Sequence, residues 1–176
     1  MKVLVAHASK YGSTQEVAEA VAATLQDHGF EVDLRHVGKI RQLDGYRAVV
    51  LGAPIYFGAW RKDAHGFLER NREGLEVRPV ALFAMGPIGD SPSQKDWAES
   101  RVALQKDMAE HPWLTPVAFE VFGGKFDPAR LDITDRLVTS LPASPLHQLP
   151  ASDLRDWAAI RAWAGNLVAQ LQPASI

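Results

Sequence analysis

Apolar and polar positions along the chain switch repeatedly between a strand pattern and a helix pattern. Lys2–His7 is a short run of adjoining apolar residues, the mark of a strand covered on both faces. Ser13-Thr14-Gln15-Glu16 has the form of a capping box, which predicts Ser13 as helix N-cap and Glu16 at the third helical position. Val17, Val21 and Leu25 then recur every four residues, with Ala18 and Ala22 beside them, so one face of the helix packs on a sheet. His28-Gly29 closes it.

Glu31–Val37 alternates and predicts an edge strand. Tyr46–Ala53 predicts a second buried strand, stopped by Pro54. Residues 61–73 read as a highly charged helix, and Val77–Met85 as another buried strand. Gln94–Glu110 predicts a helix with Trp97, Val102, Leu104 and Met108 turned inward. Thr115–Phe122 is the fifth strand, broken by Gly123-Gly124. Leu154, Trp157, Ile160, Ala164, Leu167 and Leu171 repeat at three or four and make the final helix, with Asp153 as its cap. Five strands alternating with helices predict one α/β domain over 1–176, a doubly wound five-stranded parallel sheet. Residues 127–150 are the exception. Pro128, Pro142, Pro145 and Pro150 fall there with weak periodicity, so this Pro-rich insert before the last helix is either functional or loosely ordered.

Composition narrows the chemistry. The 176 residues contain no cysteine, which excludes disulfides, thiolate metal sites, cysteine-ligated iron–sulfur clusters and a thiol nucleophile. A net charge of −2 offers no basic excess for nucleic acid. The six histidines form no HxH or HExxH pair, so no metal site is expected. The N-terminal apolar run is too short for a signal-peptide core, and no run approaches the ~18 residues of a membrane span. The expectation is a soluble cytoplasmic protein.

One loop carries a chemical signal. Ser9-Lys10-Tyr11-Gly12-Ser13-Thr14 joins the first strand to the first helix. Ligands of open α/β sheets sit beyond the carboxyl ends of the strands, and a helix N-terminus there presents free N–H groups and partial positive charge. Three hydroxyls add donors, and Gly12 lets the backbone curl around an anion. The loop has room for one phosphate group. It is neither a Walker loop nor a GxGxxG fingerprint.

This loop resembles the phosphate-binding loop of flavodoxin-like FMN proteins. Gly52-Ala53-Pro54-Ile55-Tyr56-Phe57-Gly58-Ala59-Trp60 is similar to the flavin-flanking loop of a narrower flavodoxin-domain family, one that includes menaquinone-dependent protoporphyrinogen IX dehydrogenase. Gly86-Pro87-Ile88-Gly89-Asp90, then Phe122-Gly123-Gly124-Lys125-Phe126-Asp127-Pro128, then Asp156-Trp157 extend the resemblance over nearly the whole chain. It implies a flavodoxin-like three-layer sandwich of strand order 2-1-3-4-5. The cofactor implied is FMN rather than FAD, held by Ser9, Lys10, Tyr11, Gly12, Ser13 and Thr14 at the phosphate. Pro54, Ile55, Tyr56, Phe57, Gly58 and Trp60, with Met85, Gly86, Pro87, Ile88, Gly89 and Asp90, would flank the ring. Tyr56, Phe57 and Trp60 supply flat faces, and Gly58, Gly86 and Gly89 let amides approach the ring edge.

The activity implied is electron transfer through the flavin, in an oxidoreductase acting on a porphyrinogen or a quinone. An electron-carrying flavodoxin and a non-catalytic binding module are the alternatives. No acid–base catalyst is evident; Tyr56 and His65 are the candidates near the second loop. Arg61, Lys62, Lys125 and Arg130 are placed to meet an anionic substrate. The quinone leaves a peripheral membrane contact open. Within 127–150, however, Pro142 and Pro145 interrupt the apolar series Leu131, Ile133, Leu137, Val138 and Leu141, and only Arg130 and Arg136 are basic.

Overall fold

The computed structural model describes residues 1–144 and 146–172; Pro145, one of the prolines expected to break the 127–150 run, lies outside them. β1 (Lys2–His7), β2 (Glu31–His36), β3 (Ala48–Tyr56), β5 (Val80–Met85) and β6 (Ala118–Phe122) form the parallel sheet in the order β2-β1-β3-β5-β6. Counted along the parallel strands alone, this is the expected 2-1-3-4-5 order. β4 (Ala59–Trp60) folds back antiparallel on the end of β3.

Alternation along each strand divides the core in two. Leu4, Leu51 and Leu82 face α2 (Lys62–Arg70), α3 (Arg72–Glu76) and α4 (Gln94–Ala109). Val3, Val5, Val50 and Phe83 face α1 (Ser13–Asp27) and α6 (Trp157–Leu171). On that second face Gly52 has no room for a side chain. A Cβ there would lie 1.9 Å from Cζ of Phe83, whose ring meets Phe122 and Trp163 at centroid distances of 6.0 Å each.

Four expectations shift. Pro54 does not end β3. It lies past Gly52, the last residue paired with β1, where a missing N–H removes no ladder bond on that side. The strand continues to Tyr56 and turns back through Phe57 and Gly58, whose φ values of 51° and 75° mark a two-residue type I′ hairpin. Val77 and Tyr46 lie outside their strands, which begin at Val80 and Ala48. In α4 Leu104 turns inward and Trp97 and Met108 pack on the core as expected, but Val102 is exposed and Ala103 and Asp107 are buried in its place. The cap of α6 is Asp156, which accepts from Ala158 and Ala159 N–H at 3.0 and 2.9 Å. Asp153 instead belongs to β8 (Ser152–Asp153) and pairs with Arg155, which also reaches Glu16 of α1 at 2.6 Å.

The 127–150 segment is a built part of the fold. β7 (Lys125–Phe126) pairs antiparallel with β8 and closes its base. Between them α5 (Ile133–Ser140) starts at Asp132, whose carboxylate accepts the Asp135 N–H at 2.8 Å.

Candidate functional site

The expected capping box is absent, and its absence makes the site. Gly12 takes the N-cap position of α1 with a φ of 91°, and no side chain caps the helix. Ser9 Oγ accepts the Gly12 N–H at 3.0 Å, so the hydroxyl shapes the loop rather than the helix end. Glu16, the expected reciprocal partner, is drawn to Arg155. The N–H groups of Ser13, Thr14 and Gln15 therefore carry no hydrogen bond among the described residues and lie at the positive end of the helix dipole.

Beside this helix end lies an apolar cavity of about 490 Å³, within the usual range for small-molecule sites. One wall is Pro54, Ile55, Tyr56 and Phe57, which follow the core of β3; a second is Met85, Gly86, Pro87 and Ile88, which end or follow β5. Lys10, Tyr11 and Ser13 form the end nearest the helix. The third wall was not legible from sequence: Leu131, Val138 and Leu146 from the 127–150 segment, with Gly124 and Phe126 beneath them. The signal that could have found α5 is Asp132 three residues before Asp135, followed by Ile133, Leu137 and Val138 at helical spacing.

Some of the expected site residues are not part of the cavity wall, although Ser9, Gly12 and Thr14 belong to the loop and helix end beside it. Trp60 is 2% exposed in the core, its Nε1–H donates to the Ala53 carbonyl at 3.0 Å, and it does not line the cavity. As the return strand of the hairpin, β4 turns this side chain under the sheet end. Asp107, itself buried, accepts the Trp60 backbone N–H at 2.5 Å and fixes the hairpin from α4. Ser9, Gly12, Thr14, Gly58, Gly89 and Asp90 do not line the cavity either. Gly86 lines it, but its missing side chain serves the protein, since a Cβ would lie 2.5 Å from Val121 Cγ1. The Gly89 amide already donates to Ser152 Oγ at 2.9 Å.

Of the two proton-transfer candidates, Tyr56 lines the cavity, and burial against the apolar wall pushes its phenol above the ordinary value. His65 does not line it. His65 is bonded to His111 at 2.8 Å, and His111 to Glu69 at 2.7 Å. Arg61, Lys125 and Arg130 line the cavity and Lys62 does not.

The third wall is latched to the Ser9–Thr14 loop. Lys10 Nζ contacts Asp132 at 2.8 Å and Asp135 at 2.7 Å, and the Tyr11 hydroxyl donates to Asp135. The two carboxylates raise Lys10 above the ordinary lysine value. The Asp135 N–H and Lys10 hold Asp132 below the usual carboxylate range, and Lys10 and Tyr11 do the same for Asp135. Depressed carboxyl values mean that the latch is present above a pH of about 4 and weakens as pH falls through the lowered values. Asp132→Asn combined with Asp135→Asn should therefore speed cleavage of residues 127–140 in limited proteolysis at pH 7. Wild type should reach a comparable rate only in acid. Equal cleavage of the two proteins at pH 7 would show that the latch does not hold the segment.

A doubly wound parallel sheet with an uncapped first helix, flanked by an apolar cavity between the ends of its central strands, defines an α/β protein of flavodoxin-like fold. The chain belongs to the Flavodoxin domain family, which matches residues 4–145. Protoporphyrinogen IX dehydrogenase [quinone] of Escherichia coli strain K12 is 27% identical over 97 residues, 54% of this chain and 54% of that protein. The match thus spans about half the length of that relative. The protein of the same name from Leishmania major is 23% identical over 176 residues, 96% of this chain and 75% of its own.

Flavodoxin 1 from Bacillus cereus superposes with a TM-score of 0.58 at 16% identity, covering 98% of this chain and 100% of its own. A flavodiiron core from Synechocystis gives 0.60 at 14% identity, covering 99% and 37%. These two likenesses show the fold. Membership of the family implies flavin binding, and the residues fit it: free N–H groups at the phosphate end, then flat apolar walls the length of a small cavity. Among the described residues no helix is long and apolar enough to cross a membrane.

Proposed function

We propose that the chain is an FMN-dependent oxidoreductase of the cytoplasm that exchanges electrons between small molecules, with a porphyrinogen-like donor and a quinone as the classes it would take. The observation that carries this reading is the uncapped N-terminus of α1 opening onto an apolar cavity walled from three sides. When bound, the flavin would supply the hydride or electron chemistry. The protein's part is binding and orientation. Ser13 and the first-turn N–H groups would hold the phosphate. Ile55, Tyr56, Met85 and Ile88 would exclude water from the ring, and Tyr56, kept protonated, is the donor nearest to hand.

Arg61, Lys125 and Arg130 at the cavity suit a substrate with carboxylates around an apolar body. The relatives named protoporphyrinogen IX dehydrogenase support this class. The exposed side chains of Ile133, Leu137 and Leu141 on and beside α5 would supply a peripheral membrane contact for a lipid-borne quinone.

The second reading is a flavodoxin that carries electrons between proteins. A docked protein partner needs the ring edge open, whereas α5 and its latch cover this cavity, which favours small molecules. Stopped-flow oxidation of the photoreduced, flavin-loaded protein decides between them. Rapid oxidation by soluble quinones is expected, and Arg61→Gln with Lys125→Gln should raise the KM for an anionic donor several-fold while leaving a neutral quinone unaffected. No turnover with any quinone or porphyrinogen would return the chain to the carrier class.

A further inference from the structure

A second, open crevice runs along edge strand β2 from Val32 to Lys39, reaches His7 at the end of β1 and Gln15 of α1, and shares no lining residue with the flavin cavity. His7 forms its inner end. The residue is 6% exposed, its Nδ1 is buried without a partner, and neither ring nitrogen makes a hydrogen bond among the described residues. A buried polar group left unpaired in this way is rare in native folds. Burial, aided by the neighbouring His36, pushes His7 down to about 4, so at neutral pH the ring offers one donor and one acceptor without charge.

His36 stands edge-on to it, with ring centroids 5.4 Å apart. Its Nδ1 accepts the Gly38 N–H at 3.1 Å, which leaves the proton on Nε2 as a donor. Arg35 and Lys39 line the same crevice, and Lys39 has no ion pair among the described residues. Of the two carboxylates nearby, Asp33 is engaged by the Tyr46 hydroxyl at 2.6 Å, Lys2 at 3.2 Å and Arg35 at 3.5 Å, while Glu19 of α1 acts on His7 through its charge alone. Leu34 adds an apolar flank.

We propose that this crevice binds the phosphate monoester of a nucleotide. His7, His36 and Lys39 hold the phosphate, and the Leu34 flank takes the ribose or base. The flavin cavity is not part of the site.

The test is a titration of FMN-loaded protein with adenosine 2′,5′-bisphosphate, followed by the histidine ring Cε1–H signals in NMR. The His36→Gln variant identifies the His36 signal. Saturable shifts of His7 and His36 are expected, with inorganic phosphate acting on the same signals more weakly and adenosine on neither. Lys39→Ala, at an exposed position that the fold does not need, should weaken binding about tenfold. Unmoved His7 and His36 signals, or unchanged affinity in Lys39→Ala, would overturn the proposal. Inorganic phosphate binding as tightly as the nucleotide would overturn its nucleotide part. Flavin content, read by visible absorbance in the same samples, reports separately on the first site.

Discussion

Gly52→Ala should lower the thermal midpoint of the flavin-free protein by roughly 6–12 °C, the effect of about 3 kcal/mol on a domain of this size. The added Cβ would lie 1.9 Å from Cζ and 2.3 Å from Cε1 of Phe83. That ring is fully buried and held by Phe122 and Trp163, so it has no free direction in which to retreat. Either β3 moves away from β5 or the aromatic cluster repacks, and both lose contacts on the α6 face. The loss is a large share of the ~5–15 kcal/mol that holds an ordinary domain together. Circular dichroism melts read it directly. Phe83→Leu in the same chain should recover part of the loss, because the two changes share one space. A midpoint within about 2 °C of the parent would mean that the two strands slide apart cheaply.

Ser13→Asp should move two quantities in opposite directions. Flavin affinity should fall about 100-fold or more, since a carboxylate would stand where the phosphate binds and a donor to a charged group is lost, a combined penalty of about 3 kcal/mol. The flavin-free protein should be no less stable and gain up to about 1 kcal/mol, because an acid in the first turn suits the helix dipole. The contrast depends on α1 having no side-chain cap. Quenching of flavin fluorescence gives the first quantity and thermal melts the second. Ser13→Ala should lie between, at about tenfold weaker. Retained affinity in Ser13→Asp would place the phosphate away from this helix.

The sheet was legible because its strands are covered on both faces. Val3–Ala6, Val49–Leu51 and Val80–Ala84 are continuous apolar runs that no surface element would carry. Strand ends were less legible. Pro54 usually stops a strand, yet whether it does depends on which neighbour the strand still has at that point. The loop after β1 and two cavity walls could be placed from the sequence because they are local to strand ends. Trp60 could not, since a two-residue hairpin decides which way it points. The third wall was hidden because Leu131, Val138 and Leu146 acquire their role only through Lys10 and Tyr11, more than a hundred positions away. Local patterns such as Asp132 to Asp135 mark a helix start but not what the helix will cover.

The clasp between β7 and β8 has a consequence for how this chain can be altered. Lys125 pairs with Asp153 and Phe126 with Ser152, and the Leu154 N–H donates to the Gly124 carbonyl at 2.9 Å. At Gly123 even a methyl group would strike the Leu154 carbonyl oxygen, at 2.1 Å. The chain thus leaves the body of the protein and re-enters it at one clasp, and between Asp127 and Ala151 it is tied back a second time, by Lys10 and Tyr11 at Asp132 and Asp135. The entropy of closing such a loop grows only slowly with its length. A change of length in this segment therefore costs little closure entropy as long as Asp132 and Asp135 still reach Lys10 and Tyr11. The wall that Leu131, Val138 and Leu146 give the cavity is then exchangeable independently of the sheet, provided the two carboxylates that Lys10 grips are kept.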